Sequence, residues 1–158
     1  MVSVHRAAGR LAALFLMVTV MPAHAAFECL GERPADQVRV QVAVQGVKNA
    51  KGNITITVYP DDPKRFLAKG GKLARQRLPA QAPLTEACFQ LPAASHYAIA
   101  VYHDADNDHD LDRNLFGLPT EGGGFSNNPQ SLIGLPSLDE VRFATPPGET
   151  RVTVQIRY

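Results

Sequence analysis

Within the run His103-Asp-Ala-Asp-Asn-Asp-His-Asp-Leu-Asp-Arg-Asn114, Asp104, Asp106, Asp108, Asp110 and Asp112 stand at every second position, so five of the chain's 15 acids lie in the nine residues from Asp104 to Asp112. A tight loop turns alternate side chains of this kind onto one central point. Counted from Asp104 as the first position, carboxylates stand at the first, third, fifth and ninth, an apolar residue stands at the eighth, and the seventh can offer its carbonyl. This is the oxygen-ligand layout of an EF-hand-type calcium loop. Carboxylates about 4 Å apart repel by about 1 kcal/mol per pair in water and by more near a protein surface. Calcium is therefore the expected counter-ion, with the five aspartates as its ligand set. Two positions depart from the pattern: His109 stands where the chain normally needs Gly to turn sharply, and Leu115 stands where a bidentate Glu closes the shell. The flanks read as strand and loop, which points to a fixed structural ion and not to a helix-moving switch. The alternative is a solvated acidic turn holding no ion.

The other chemistry-bearing residues are sparser. His103 ends an apolar run beside Asp104 and could orient a ligand carboxylate. Downstream, the long segment from Asn114 to Asn128 contains Gly122-Gly-Gly124. Without a G-x-x-x-x-G-K-[ST] or G-x-G-x-x-G motif it reads as glycine used for tight backbone packing and not as a phosphate cradle. Ser126 is not in a G-x-S-x-G elbow, and the mature chain has neither an H-E-x-x-H motif nor a histidine cluster. An enzymatic alternative, a small hydrolase or lyase acting on an envelope glycan or lipid, would need His103, Glu121 and Ser126 to converge in an open pocket. From Lys64 to Arg77 the chain has Lys64, Arg65, Lys69, Lys72, Arg75 and Arg77 and no acid. Such a patch can meet anionic lipid or glycan, or face the acidic loop.

The elements that must position these residues are strands. Apolar residues alternate in Val38–Val44, Ile54–Tyr59, Thr85–Leu91 and Thr150–Tyr158, while Tyr97–His103 is apolar on both faces and Leu73–Leu78 is a weaker sixth strand. Two helical stretches are expected: two turns over Lys64–Lys69 behind Asp62-Pro63, and one turn running from the capping box Ser137-Leu-Asp-Glu140 to Phe143. Neither is long enough for a crossover between parallel strands. The fold class is all-β, an antiparallel two-sheet sandwich of six or seven strands with one or two short helical turns.

Composition fits this and excludes much else. The 158 residues are 45% hydrophobic and 20% charged with two Cys, which is neither a disordered tail, nor a disulfide-dense mini-protein, nor a basic nucleic-acid binder. Arg6 and Arg10 precede the apolar run Leu11–Val20, then Met21-Pro22 and Ala23-His24-Ala25. These are the three parts of a secretory signal peptide over residues 1–25, with cleavage before Ala26 and a single domain over residues 26–158. The ten-residue run would span only about 15 Å as a helix, half a bilayer core, so no transmembrane segment is expected after cleavage. The signal supplies two of the 16 bases and none of the 15 acids, so the mature charge is near −1. In a periplasmic or secreted chain, Cys29 and Cys88 read as one disulfide closing a loop of about 60 residues, for which the chain-entropy model gives roughly 4 kcal/mol. The partner is expected to be an unidentified envelope or extracellular molecule, and not nucleic acid.

His103-Asp104…Leu111-Asp-Arg-Asn114, Gly117-Leu-Pro119, Glu121-Gly122, Gly124-Phe-Ser-Asn-Asn128 and Pro136-Ser-Leu-Asp-Glu-Val-Arg-Phe143 together resemble the bacterial domain-of-unknown-function family 2141, from about Val38 to Tyr158. The resemblance implies an exported β-sandwich of the prealbumin (transthyretin-like) kind with no established activity and no catalytic residues to carry over. It also implies Gly as the usual residue at the position of His109.

Overall fold

The computed structural model describes residues 34, 35, 37–111, 115, 120–130 and 134–158. The signal segment, Cys29, Asp112 and Asn114 lie outside the described residues. Among the described residues eight strands form two sheets. In the smaller, β1 (Val38–Gln45) lies between β4 (Leu84–Leu91) and β8 (Glu149–Gln155). In the larger, the order is β3 (Ala74–Pro79), β2 (Asn53–Pro60), β5 (Ser95–Asp104) and β6 (Gly123–Phe125). β7 (Phe143–Thr145) pairs with Ser95–Tyr97 of β5, so β6 and β7 share one edge of that strand at different heights.

The alternation that marks the strands also builds the core. Val38, Val40, Val42 and Val44, beside Phe89, Leu91, Val152 and Val154 of their own sheet, face Ile54, Ile56, Val58, Ile99 and Val101 of the other, all buried. Each such aliphatic side chain contributes about 1.5–3 kcal/mol on leaving water. Cys88 falls on the opposite face of β4, as the alternation requires, and β4 is an edge strand.

Three expectations are corrected. The described residues hold eight strands and not six or seven, because β6 and β7, three residues each, carry no readable period. β8 runs parallel to β1 while the other pairings are antiparallel: it arrives from the larger sheet, and the chain between supplies the long crossover a parallel pair needs. Lys64–Lys69 is not helical. Arg65 and Phe66 donate to the Asp62 carbonyl and Lys64 N–H to Asp62 Oδ1, but Leu67 then adopts φ 56°, which ends the helical path after one turn. The second helix does form as α1 (Leu138–Val141), with Glu140 Oε2 accepting from Ser137 N–H at 2.7 Å, and it stops where Phe143 enters β7.

β5 is apolar on both faces because its outer face is covered too. Tyr59 and Ala98 on that face are buried beneath Leu138 and Val141 of α1, with Phe66, Leu67, Ala100 and Phe125 packed alongside. The Asp62–Gly71 turns and α1 thus make a third, partial layer over the larger sheet.

Candidate metal centre

β5 ends at Asp104, and the acidic loop begins there. Asp104 is fully buried against the β1–β2 connection, opposite Asn53 in the β2–β5 register. That connection comes so close at Gly52, φ 62°, that a Cβ would sit 1.9 Å from the Asp104 carbonyl oxygen; only glycine fits. Beyond Asp104 the chain reverses twice, at Asn107 with φ 69° and His109 with φ 71°. Asn and His are among the few non-glycine residues that visit this region with some frequency, so the sharp turn at the sixth position is made here without Gly.

These reversals bring one carboxylate oxygen from each of Asp104, Asp106 and Asp108 within 4.8 Å of the others. The loop's amides hold the carboxylates in place. Asp108 N–H donates to Asp106 Oδ1 at 3.2 Å, His109 N–H to Asp104 Oδ2 at 3.2 Å and Asp110 N–H to Asp108 Oδ1 at 2.8 Å. Outer contacts brace the loop against the sheet: Ala105 N–H donates to Glu121 Oε1, Tyr102 Oη to the His109 carbonyl, and the Asn53 amide to Asn107 Oδ1. One oxygen stands apart. Asp104 Oδ1 is buried and has no hydrogen-bond partner among the described residues. An ionised carboxylate oxygen left bare in this way is costly unless a cation meets it. Asp104, buried, and Asp106 and Asp108, exposed, are the residues that could hold a hard, oxygen-preferring divalent ion.

Of the five predicted ligands, the structure brings Asp104, Asp106 and Asp108 together. Asp110 is not in the cluster; its Oδ1 accepts Leu111 N–H at 2.9 Å. Asp112 lies outside the described residues. Sequence reading did not foresee the support from Asn53 and Gly52, which lie some fifty residues earlier. Glu121, expected only in the enzymatic alternative, accepts Ala105 N–H and so supports the loop.

The residues of the enzymatic alternative do not converge. His103 is buried, 1% exposed, on the core side of β5. Its Nε2–H donates to the Lys51 carbonyl at 2.7 Å, and its Nδ1 accepts from Tyr158 Oη at 2.7 Å, which in turn accepts Lys48 N–H. The carbonyl can only accept, which fixes the proton on Nε2. Ser126 is completely buried; its Oγ accepts Ile99 N–H and donates to the Val141 carbonyl. Both side chains are held by structure and buried away from an open pocket.

The glycine segment has the packing role. Gly124 in β6 lies so close to β8 that a Cβ would be 2.5 Å from the Gln155 carbonyl oxygen and 2.9 Å from Val154 Cγ1. Gly123 and Arg157 exchange two backbone bonds of 2.9 Å, which joins the larger sheet to the smaller at this edge. Asn127 Nδ2 donates to the Arg142 carbonyl behind α1. Asn128 donates to the Thr153 carbonyl and accepts Gln155 N–H, serving β8 as a strand partner would. Gly124-Phe-Ser-Asn-Asn128 is therefore a clasp across the sandwich.

A family model described as an uncharacterized protein conserved in bacteria, DUF2141, matches residues 42–153. The chain belongs to the DUF2141 family. No curated protein matches the chain, and no solved structure does. The span matched by DUF2141 begins in β1 and ends in β8, so it encloses the acidic loop, the clasp and both sheets. Among the described residues no helix is long and apolar enough to cross a membrane.

Proposed function

We propose that this chain is an exported β-sandwich binding or accessory module, periplasmic or secreted, whose Asp104–Asp108 turn holds calcium as a structural ion. The observation that carries the ion is Asp104 Oδ1, buried and unpartnered beside the carboxylates of Asp106 and Asp108. The loop grows from the end of a central strand and is braced to β2, so binding would stiffen one end of the sandwich and move no helix. Export rests on the tripartite signal over residues 1–25. It is supported by the cysteine pair: no described cysteine is free, and Cys88 sits on an edge strand with its side chain on the outer face.

Calorimetric titration and thermal melting, each in calcium and in chelator, test the ion. Ligand at 100 times Kd stabilises a native state by about 2.7 kcal/mol, which is on the order of 10 °C for a domain of this size. Asp104→Asn is expected to abolish both the heat and the shift while melting no lower than the parent in chelator, because it removes one of three crowded charges. Absence of heat and shift in the parent would overturn the ion. Mass analysis of the exported protein tests the leader: it should begin at Ala26.

A further inference from the structure

A groove of about 640 Å³ lies on the outer face of the larger sheet, and a second depression of about 400 Å³ adjoins it, sharing Tyr59, Leu67 and Arg75. The volume is that of a small-molecule site. The two parts differ in chemistry. Thr57 and Ala100 lie on the floor strands of the first, and Tyr59, Leu67 and Phe125 supply its apolar surface, with Leu135, 60% exposed, also on it. The second is lined by Lys69, Lys72 and Arg75. None of these three cations forms an ion pair among the described residues. Arg75 donates from Nε to Thr57 Oγ1 at 2.8 Å, which fixes the guanidinium at the seam and leaves its Nη groups available.

Two further features mark the site as built. Leu67, which lines both parts, is held at φ 56°, a conformation a bulky side chain adopts only when its surroundings impose it. Phe66 braces the aromatic wall by edge contacts, 5.5 Å to Tyr59 and 6.5 Å to Phe125 between ring centroids. The groove's acids, Asp110 and Glu121, belong to its acidic-loop end, since Glu121 is bonded to Ala105. Arg157, which also lines the groove, donates from Nη1 to the Pro129 carbonyl, so an anionic head is directed to the Arg75 end.

We propose that this groove binds a single-chain anionic amphiphile of the fatty carboxylate class, its acyl chain across Tyr59, Leu67 and Phe125 and its carboxylate on Arg75 between Lys69 and Lys72. A guanidinium pinned through Nε retains the paired donors that suit a carboxylate. The inference rests on the reading of the chain as a binding module and is independent of the ion.

The test is calorimetric titration of the full protein with dodecanoate below its micellar concentration, in calcium and in chelator, against dodecyltrimethylammonium and inorganic phosphate. Dodecanoate should saturate one site and the other two should not bind. Arg75→Gln, which substitutes an exposed residue and should melt no lower than the parent, and Leu67→Gly, which also removes apolar contact with the outer face and should melt lower while staying folded, should each weaken dodecanoate at least tenfold. No binding of dodecanoate, equal binding of the cationic amphiphile, or undiminished affinity in both variants would overturn the groove. So would capture by phosphatidylglycerol vesicles without binding of monomeric dodecanoate, which would make the basic patch a membrane contact. A calcium-induced melting shift without dodecanoate binding would overturn the groove alone; dodecanoate binding without a calcium response would overturn the ion alone.

Discussion

At the scale of single residues, chemistry is decided by which groups are left with something to do. Asp104 Oδ1 is left bare in a crowd of carboxylates, whereas His103 and Ser126, whose types are equally suggestive, are consumed by Lys51, Tyr158, Ile99 and Val141. Ser126→Ala should therefore cost stability, about 1–3 kcal/mol by urea unfolding, because it strands a buried amide and a buried carbonyl. A variant as stable as the parent would show that these bonds contribute nothing. His109 is a different case: it occupies a left-handed turn at a conformational cost of roughly 1 kcal/mol that glycine does not incur. His109→Gly should raise the melting temperature by a few degrees in chelator and tighten calcium several-fold in titration. The aspartate spacing was readable in the chain; the bare oxygen was not, since burial of Asp104 comes from the distant Gly52 and Asn53.

At the scale of elements, the four alternating segments, the doubly apolar Tyr97–His103 and the weaker Leu73–Leu78 are the six long strands, because a period of two leaves one face to bury and a doubly apolar run leaves two. β6 and β7 had no such signal. They are strands because β5 offers an unoccupied edge, and Gly124 is needed because β8 passes against it. Gly124→Ala should destabilise by roughly 1–3 kcal/mol, since backbone must move to admit the methyl group. Asn128→Ala, which exposes the β8 backbone it bonds, should speed hydrogen exchange at the Gln155 amide. Unchanged exchange there would mean that the clasp does not hold β8. The Lys64–Lys69 expectation failed for a reason of the same kind: local signals favoured helix, but Leu67 is needed against the outer face of the sheet.

At the scale of the whole molecule, the two sheets are tied at opposite edges, by Gly123 with Arg157 on one side and by Gln76 Nε2 donating to the Cys88 carbonyl on the other. A disulfide from Cys88 to Cys29 would add a covalent tie at that second edge. Cys88→Ser should then lower stability by about 2–4 kcal/mol in urea unfolding under oxidising conditions and not under reducing ones. Equal stability of the two proteins in both conditions would remove the staple. What the sequence by itself determined is what short-range periodicity can encode: the strand faces, the all-β class and an aspartate set spaced to converge. Only the tertiary structure decided that β8 lies parallel to β1, that His103 and Ser126 are structural, that the glycines are a clasp, and that Lys69, Lys72 and Arg75 meet an aromatic groove. Each of those depends on a partner tens of residues away along the chain, and a local pattern carries no record of which distant groups the packed sheets bring into reach.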